Sequence, residues 1–247
     1  MRDNEFIRPD NLTWFCNTNE TLLTGEPRGI VMEFPGLGGS SCLGGLIDRG
    51  PYGGPYAQAL ADAGLLLVYT FSGPWSWMNK GAVRMCDLIA DAAMAKYGLS
   101  SGQCPLIATG GSMGGMGALI WAADSRHRVT AVAAACPGCN QLSCWTKFDF
   151  PRTYLSAVCN LDVTIEEGMK HISPLYRIGD MPDVPYFIVG DVEDECFAIE
   201  ETDDFVDRMR ASGKRIDYRR LEGQKHGGFT PETRGDMTRF VIGNGTI

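Results

Sequence analysis

The chain has 247 residues, 44% hydrophobic and 21% charged, with 22 Lys+Arg against 30 Asp+Glu for a formal net charge of -8. This length can bury a substantial core, and the composition excludes a disordered chain. The acidic excess removes the electrostatic basis for general binding to nucleic acid or to an anionic membrane, since both need a basic face. The longest apolar runs, Leu65–Phe71 and Val129–Cys136, have strand length and fall far short of the roughly 18 residues of a membrane span. Nine cysteines, in a chain long enough to need no disulfide staples, read as reduced thiols. Met1–Glu5 lacks the apolar stretch of a signal peptide. The expectation is a cytoplasmic protein, although a secreted chain with its signal removed would read the same way.

After a polar N-terminal stretch, Gly29–Phe34 predicts a strand that runs into Pro35-Gly36-Leu37-Gly38-Gly39. A helix is predicted over Gly53–Ala63 with Gly64 as its stop, then a strand over Leu65–Phe71 apolar enough to be covered on both faces. Val83, Cys86, Ile89, Ala90, Ala93 and Tyr97 recur at three- and four-residue steps and predict a helix from Lys80 to Tyr97. Pro105–Thr109 is a third strand, followed by glycines and a helix over Met113–Ala123, and Val129–Cys136 is a fourth. Pro185–Gly190 and Ile216–Leu221 are the fifth and sixth, with a helix between them that closes at Gly213. Thr230-Pro231, an N-cap followed by proline, opens a last helix through Val241. Strands alternating with helices predict an α/β fold, a mostly parallel sheet with helices on both faces. One domain over residues 1–247 is expected, with 137–184 too long for a simple crossover and read as a small cap or insertion over one end of the sheet.

The strongest local signal is Thr109-Gly110-Gly111-Ser112-Met113-Gly114-Gly115, where a buried strand passes through Gly-x-Ser-x-Gly straight into a helix. A sharp turn there lifts a serine hydroxyl clear of the sheet, and flanking glycines let neighbouring backbone pass close to it. The helix beginning at Met113 directs its free N–H groups and dipole at the same point, so the Met113 N–H is placed to stabilise an oxyanion. A glycine-rich turn with a capping serine would read similarly; the strand before it and the helix after it favour the catalytic reading.

A serine hydroxyl needs a base, and the base needs a third group to set its tautomer. Of three histidines, His127 lies on a charged turn and is expected to be solvated, and His171 is expected on the surface or in the cap. His226 lies between glycines in the loop after the last strand, where it could approach another loop, and is the candidate base. The fifth strand runs into Asp191-Val192-Glu193-Asp194-Glu195; Asp194, just before the apolar Cys196-Phe197, is the candidate acid, with Asp191 the alternative. Trp75 and Trp77 follow the second strand on the same sheet edge as Ser112 and are candidate substrate-binding residues, against the alternative of a small core beneath the insertion. Cys136-Pro137-Gly138-Cys139 and Cys144 invite a zinc or disulfide reading, but Cys159 is the only nearby candidate for a fourth ligand, so neither enters the proposed chemistry. The run Glu200–Asp204 is expected to be a solvated helix face.

These residues resemble an α/β-hydrolase, more narrowly the esterase and prolyl-oligopeptidase branch of that superfamily. The resemblance runs from about Gly29 to Phe240. It rests on the Gly110–Gly114 elbow, the order Ser112, Asp194, His226, and Ile172-Ser173-Pro174-Leu175 ahead of Met181-Pro182-Asp183-Val184-Pro185. It implies that Pro35–Gly39 supplies the second oxyanion donor, the N–H of Leu37 or, as alternative, of Gly38. The chain departs from the family in carrying Pro35-Gly36 where a His-Gly pair is usual, and in setting Asp194 one residue farther from its glycine. The function expected is hydrolysis of carboxylic esters of small soluble substrates by a carboxylesterase-like serine hydrolase, with no metal or organic cofactor. The alternatives are a peptidase or amidase with the same machinery, or a non-catalytic binding module. Whether the chain forms a homo-oligomer stays open.

Overall fold

The computed structural model describes residues 6–37, 53–159 and 163–246. Each predicted apolar run forms a strand: β2 (Gly29–Phe34), β3 (Leu65–Thr70), β4 (Leu106–Gly111), β5 (Ala131–Ala135), β6 (Pro185–Asp191) and β7 (Arg215–Leu221). They lie parallel in the order β3-β2-β4-β5-β6-β7. A further strand, β1 (Cys16–Thr18), pairs antiparallel with β3 at the sheet edge. It falls in the stretch read only as polar, because three residues are too few for a periodic signal. The buried Asn19 fastens this edge: its amide donates to the Ala57 and Leu65 carbonyls, and its Oδ1 accepts the Leu67 N–H at 2.8 Å.

The helices are α1 (Pro55–Asp62), α2 (Lys80–Lys96), α3 (Met113–Asp124), then α4 (Gln141–Cys144), α5 (Phe150–Val158) and α6 (Ile165–His171) between β5 and β6, then α7 (Ile199–Ala211) and α8 (Pro231–Gly245). Asn79 caps α2 by accepting the Ala82 N–H, and Thr230 caps α8 by accepting the Thr233 N–H. Alternate strand residues face opposite layers. Ile30, Met32 and Phe34 of β2 join Val132, Ala134, Tyr186 and Ile188 in one buried cluster with α2 and α3. Val31 joins Ile107, Ala133, Phe187 and Val189 in a second, with α1 and α8. Among the described residues no helix is long and apolar enough to cross a membrane.

The segment between β5 and β6 packs against loops at the sheet's C-terminal edge. Trp77, in the loop after β3, is fully buried, and its indole N–H donates to the Thr153 hydroxyl at 2.9 Å. Its ring meets Phe150 edge-on and lies 4.3 Å from the Tyr154 ring, and Phe150 stacks on Phe197 from the loop after β6. Trp77 is therefore part of the core beneath α5 and not an open substrate-binding surface. Trp75, by contrast, is 42% exposed. Trp75, Trp77 and Met78 all take positive φ, a region costly for residues with a β-carbon, and the contacts of Trp77 with α5 anchor the loop there.

Two further expectations change. His127 is buried: its Nε2 lies 3.2 Å from the Asp87 carbonyl and 3.3 Å from an Asp91 carboxylate oxygen, so the charged turn folds inward onto α2. Glu201 is half-buried beside Cys144, and that burial raises its carboxyl pKa, so the acidic run is not solvated along its whole length.

Candidate active site

The turn at Ser112 is made by backbone packing. Ser112 has φ 58 and ψ -125, a strained combination for a residue with a side chain. Its N–H donates to the Ala135 carbonyl at the end of β5, which holds the strain in place. The flanking glycines are steric necessities. A β-carbon at Gly114 would sit 2.0 Å from the Phe34 carbonyl oxygen, and one at Gly110 would sit 2.5 Å from the Gly114 backbone. A β-carbon at Gly115 would meet the Ala135 carbonyl at 2.8 Å. The chain thus threads the elbow between the ends of β2 and β5 with no room for side chains.

Met113 opens α3, so its N–H is one that the helix itself leaves without a partner. The loop after β2 runs beside the serine: a β-carbon on Gly36 would lie 3.9 Å from the Ser112 β-carbon. The half-buried Leu37 follows, packed against the core. Gly38, the alternative donor, and Gly39 lie outside the described residues.

The opposite side of the site is set by side chains. His226 Nε2 lies 2.8 Å from Ser112 Oγ, and its Nδ1 lies 2.9 and 3.0 Å from the two Asp194 carboxylate oxygens. Asp194 Oδ1 also accepts the N–H groups of Cys196 and Phe197 at 2.8 and 2.9 Å, and the Asp194 side chain is 3% exposed. Serine, histidine and aspartate therefore form one hydrogen-bonded line. Asp191 is elsewhere: fully buried at the end of β6, it accepts the N–H groups of Glu193, Gln224 and Lys225 at 2.8, 2.9 and 3.1 Å. It ties the histidine loop to the sheet and does not reach the imidazole by any hydrogen bond among the described residues. Gly228 completes that loop, since a β-carbon there would lie 1.9 Å from the Gln224 carbonyl. The Phe197 ring meets His226 edge-on at 5.4 Å and covers one side of it.

Two thiols crowd the acid. The Cys136 thiol, hydrogen-bonded to Asp194, is pushed up to about 12 by burial, with Asp194 and Asp191 adding to the effect. Burial, then Asp194 and Glu195, push the Cys196 thiol up to about 11. Neither is a thiolate at neutral pH, so neither competes with Ser112 as nucleophile. Cys136, Cys139 and Cys144 are free thiols, and they do not gather with Cys159 into a metal-ligand cluster among the described residues. A cavity of about 360 Å³ adjoins Gly110 and Gly111 on the α1/α8 side, with Glu33, Tyr56, Thr109 and Arg234 in its lining. Of these, Glu33, Tyr56 and Arg234 carry no local sequence signal, because they come from three separate elements.

The family model for the prolyl oligopeptidase family matches residues 75–243, more than half of the chain. No curated protein matches the chain. Among solved structures, a puromycin hydrolase is 19% identical with a TM-score of 0.68 over 89% of this chain and 34% of that one. An acylaminoacyl peptidase from Pyrococcus horikoshii is 15% identical with a TM-score of 0.69 over 90% of this chain and 37% of that one. A truncated form of a carbohydrate esterase from gut microbiota is 14% identical with a TM-score of 0.69, over 91% of this chain and 88% of that one. The chain thus spans about a third of the length of the first two proteins and most of the truncated esterase.

Proposed function

The chain belongs to the prolyl oligopeptidase family, serine hydrolases of α/β-hydrolase fold, and from that premise we propose that it hydrolyses carboxylic esters of small soluble substrates. The observation that carries the reading is the unbroken line from Ser112 Oγ through His226 to Asp194. Ser112 Oγ attacks the acyl carbonyl while His226 Nε2 takes its proton, and Asp194 holds the imidazole in the tautomer that leaves Nε2 free to accept. The N–H groups of Met113 and Leu37 stabilise the tetrahedral oxyanion. Collapse breaks the bond to the leaving oxygen, which takes the proton from His226. Water, deprotonated by the same imidazole, then releases the acyl group from Ser112. The exposed Trp75 supplies an apolar contact for the substrate. These steps need no metal or organic cofactor.

Support for ester over amide comes from the similarity to a truncated carbohydrate esterase over most of that chain. Peptide bond cleavage is the second reading. It is favoured by the likeness to the acylaminoacyl peptidase and by the cavity beside the elbow, whose Glu33 and Arg234 are charged groups of the kind that anchor a peptide terminus. Labelling with a fluorophosphonate, which modifies only an activated serine, tests the machinery. Stoichiometric label on Ser112 that disappears in His226→Ala is expected, and a folded protein that takes no label overturns the hydrolase reading. Turnover of an acyl ester against the amide of the same acyl group then separates the two substrate classes: a faster amide, corrected for intrinsic reactivity, overturns the ester assignment.

A further inference from the structure

The Cys196 side chain has no part in acyl transfer. The Cys196 thiol, an Asp194 carboxylate oxygen and a ring nitrogen of His226 all lie within 4.8 Å of one another. Ligand atoms around a tetrahedral zinc ion stand about 3.3 to 3.6 Å apart, from metal bonds of about 2.0 Å to oxygen and nitrogen and about 2.3 Å to sulfur. The Asp194–His226 separation of 2.9 Å needs only a few tenths of an ångström of opening to admit the ion. The donors are of three types and come from two loops. Cys196 and Asp194 are fixed relative to one another because the Cys196 N–H donates to Asp194 Oδ1, and His226 is held by the loop that Asp191 anchors. A further carboxylate stands beside the site, since Glu195 accepts the backbone N–H of His226 at 3.4 Å, while the Lys147 ammonium, 3.4 Å from the Cys196 carbonyl, also acts electrostatically on the thiol. Asp, Cys and His together are a borderline-soft set that suits zinc far better than magnesium or calcium.

We propose that Asp194, Cys196 and His226 bind one zinc-like divalent ion, and that this ion reversibly inhibits the enzyme. The inhibition rests on the Ser112–His226–Asp194 mechanism above; the binding does not. The ion takes His226 Nδ1, so the ring proton moves to Nε2, and Cys196 releases its thiol proton to solvent as the sulfur–metal bond forms. Nε2 then carries hydrogen and faces Ser112 as a donor, so it cannot accept the serine proton. Water completes the coordination shell. A three-ligand site in a partly open position is of the kind that exchanges its metal, which makes the block reversible.

The test uses the full chain, freed of metal by a chelator. Zinc binding is followed by calorimetry, and cobalt(II) binding by the sulfur-to-cobalt charge-transfer absorption, which reports a cysteine ligand without reference to turnover. One equivalent of zinc, a charge-transfer band with cobalt, and loss of ester turnover restored by chelator are expected. Cys196→Ser keeps its backbone N–H to Asp194 and should retain turnover, yet bind zinc at least tenfold more weakly, lose the band and need at least tenfold more zinc for inhibition. Cys159→Ser, which alters an exposed thiol outside the cluster, should leave binding and inhibition as they were. Zinc binding undiminished in Cys196→Ser, or lost in Cys159→Ser, overturns the site. A protein that binds zinc through Cys196 but hydrolyses no ester or amide keeps the site and overturns the catalytic reading instead.

Discussion

The two sides of the Ser112 site are built by different physics. On one side the elbow is fixed by main chain against main chain: Gly110, Gly114 and Gly115 pass so close to Phe34 and Ala135 that a β-carbon cannot fit. On the other, His226 and Asp194 are placed by carboxylates that gather loop N–H groups, Asp194 from residues 196 and 197, Asp191 from residues 193, 224 and 225. The first side tolerates no added volume; the second tolerates volume but not a lost acceptor. The elbow has a steric constraint that a glycine pattern reveals, whereas the histidine loop has a hydrogen-bond constraint that several acidic residues could have met.

Five substitutions would break or sharpen this contrast. Ser112→Ala should lower kcat by about 10⁴- to 10⁶-fold with no change in fold, read by ester turnover and circular dichroism. Asp194→Asn should cost about 10⁴-fold, because its amide would donate to Nδ1 and leave Nε2 protonated; a loss below tenfold would move the acid elsewhere. Gly114→Ala should destabilise the protein by more than about 3 kcal/mol, seen as an early denaturant midpoint, since Phe34 and α3 must separate. Asp191→Asn leaves one set of loop N–H groups facing an amide donor and should cost about 1–3 kcal/mol of stability. Its turnover should fall less than that of Asp194→Asn, and the reverse order would make Asp191 the acid. Gly111→Ala, whose added β-carbon meets nothing closer than the Ala135 carbonyl at 3.9 Å, should change stability by less than about 0.5 kcal/mol. A large loss there would mean that the elbow's constraint is conformational rather than steric.

Much of this molecule is legible from local pattern. Continuous apolar runs mark the parallel strands because both of their faces are buried, and the cap at Thr230 marks a helix start because the orphan N–H groups need it. Ser112 stands out because its glycines must be where they are. Local pattern fails where a partner lies far along the chain. β1 is recognisable only beside β3, and His127 reads as solvated until Asp87 and Asp91 are brought against it. Trp75 and Trp77 are two residues apart and equally apolar, yet one is 42% exposed while the other is sealed by Thr153, Phe150 and Tyr154 from 76 residues or so away.

The acidic turn after β6 divides the two kinds of information. That a carboxylate belongs there follows from the order of residues, because a parallel strand delivers its next loop to the edge where Ser112 emerges. Which carboxylate faces the imidazole does not follow, since Asp191, Glu193, Asp194 and Glu195 carry the same charge within five positions. The tertiary structure decides it by geometry. Asp191, still in the strand, turns inward to hold the histidine loop by its backbone, and Asp194, three residues on, lies where the His226 ring reaches it. Sequence determines which groups are present and where strands and turns begin; the direction a side chain faces depends on what the rest of the chain brings against it.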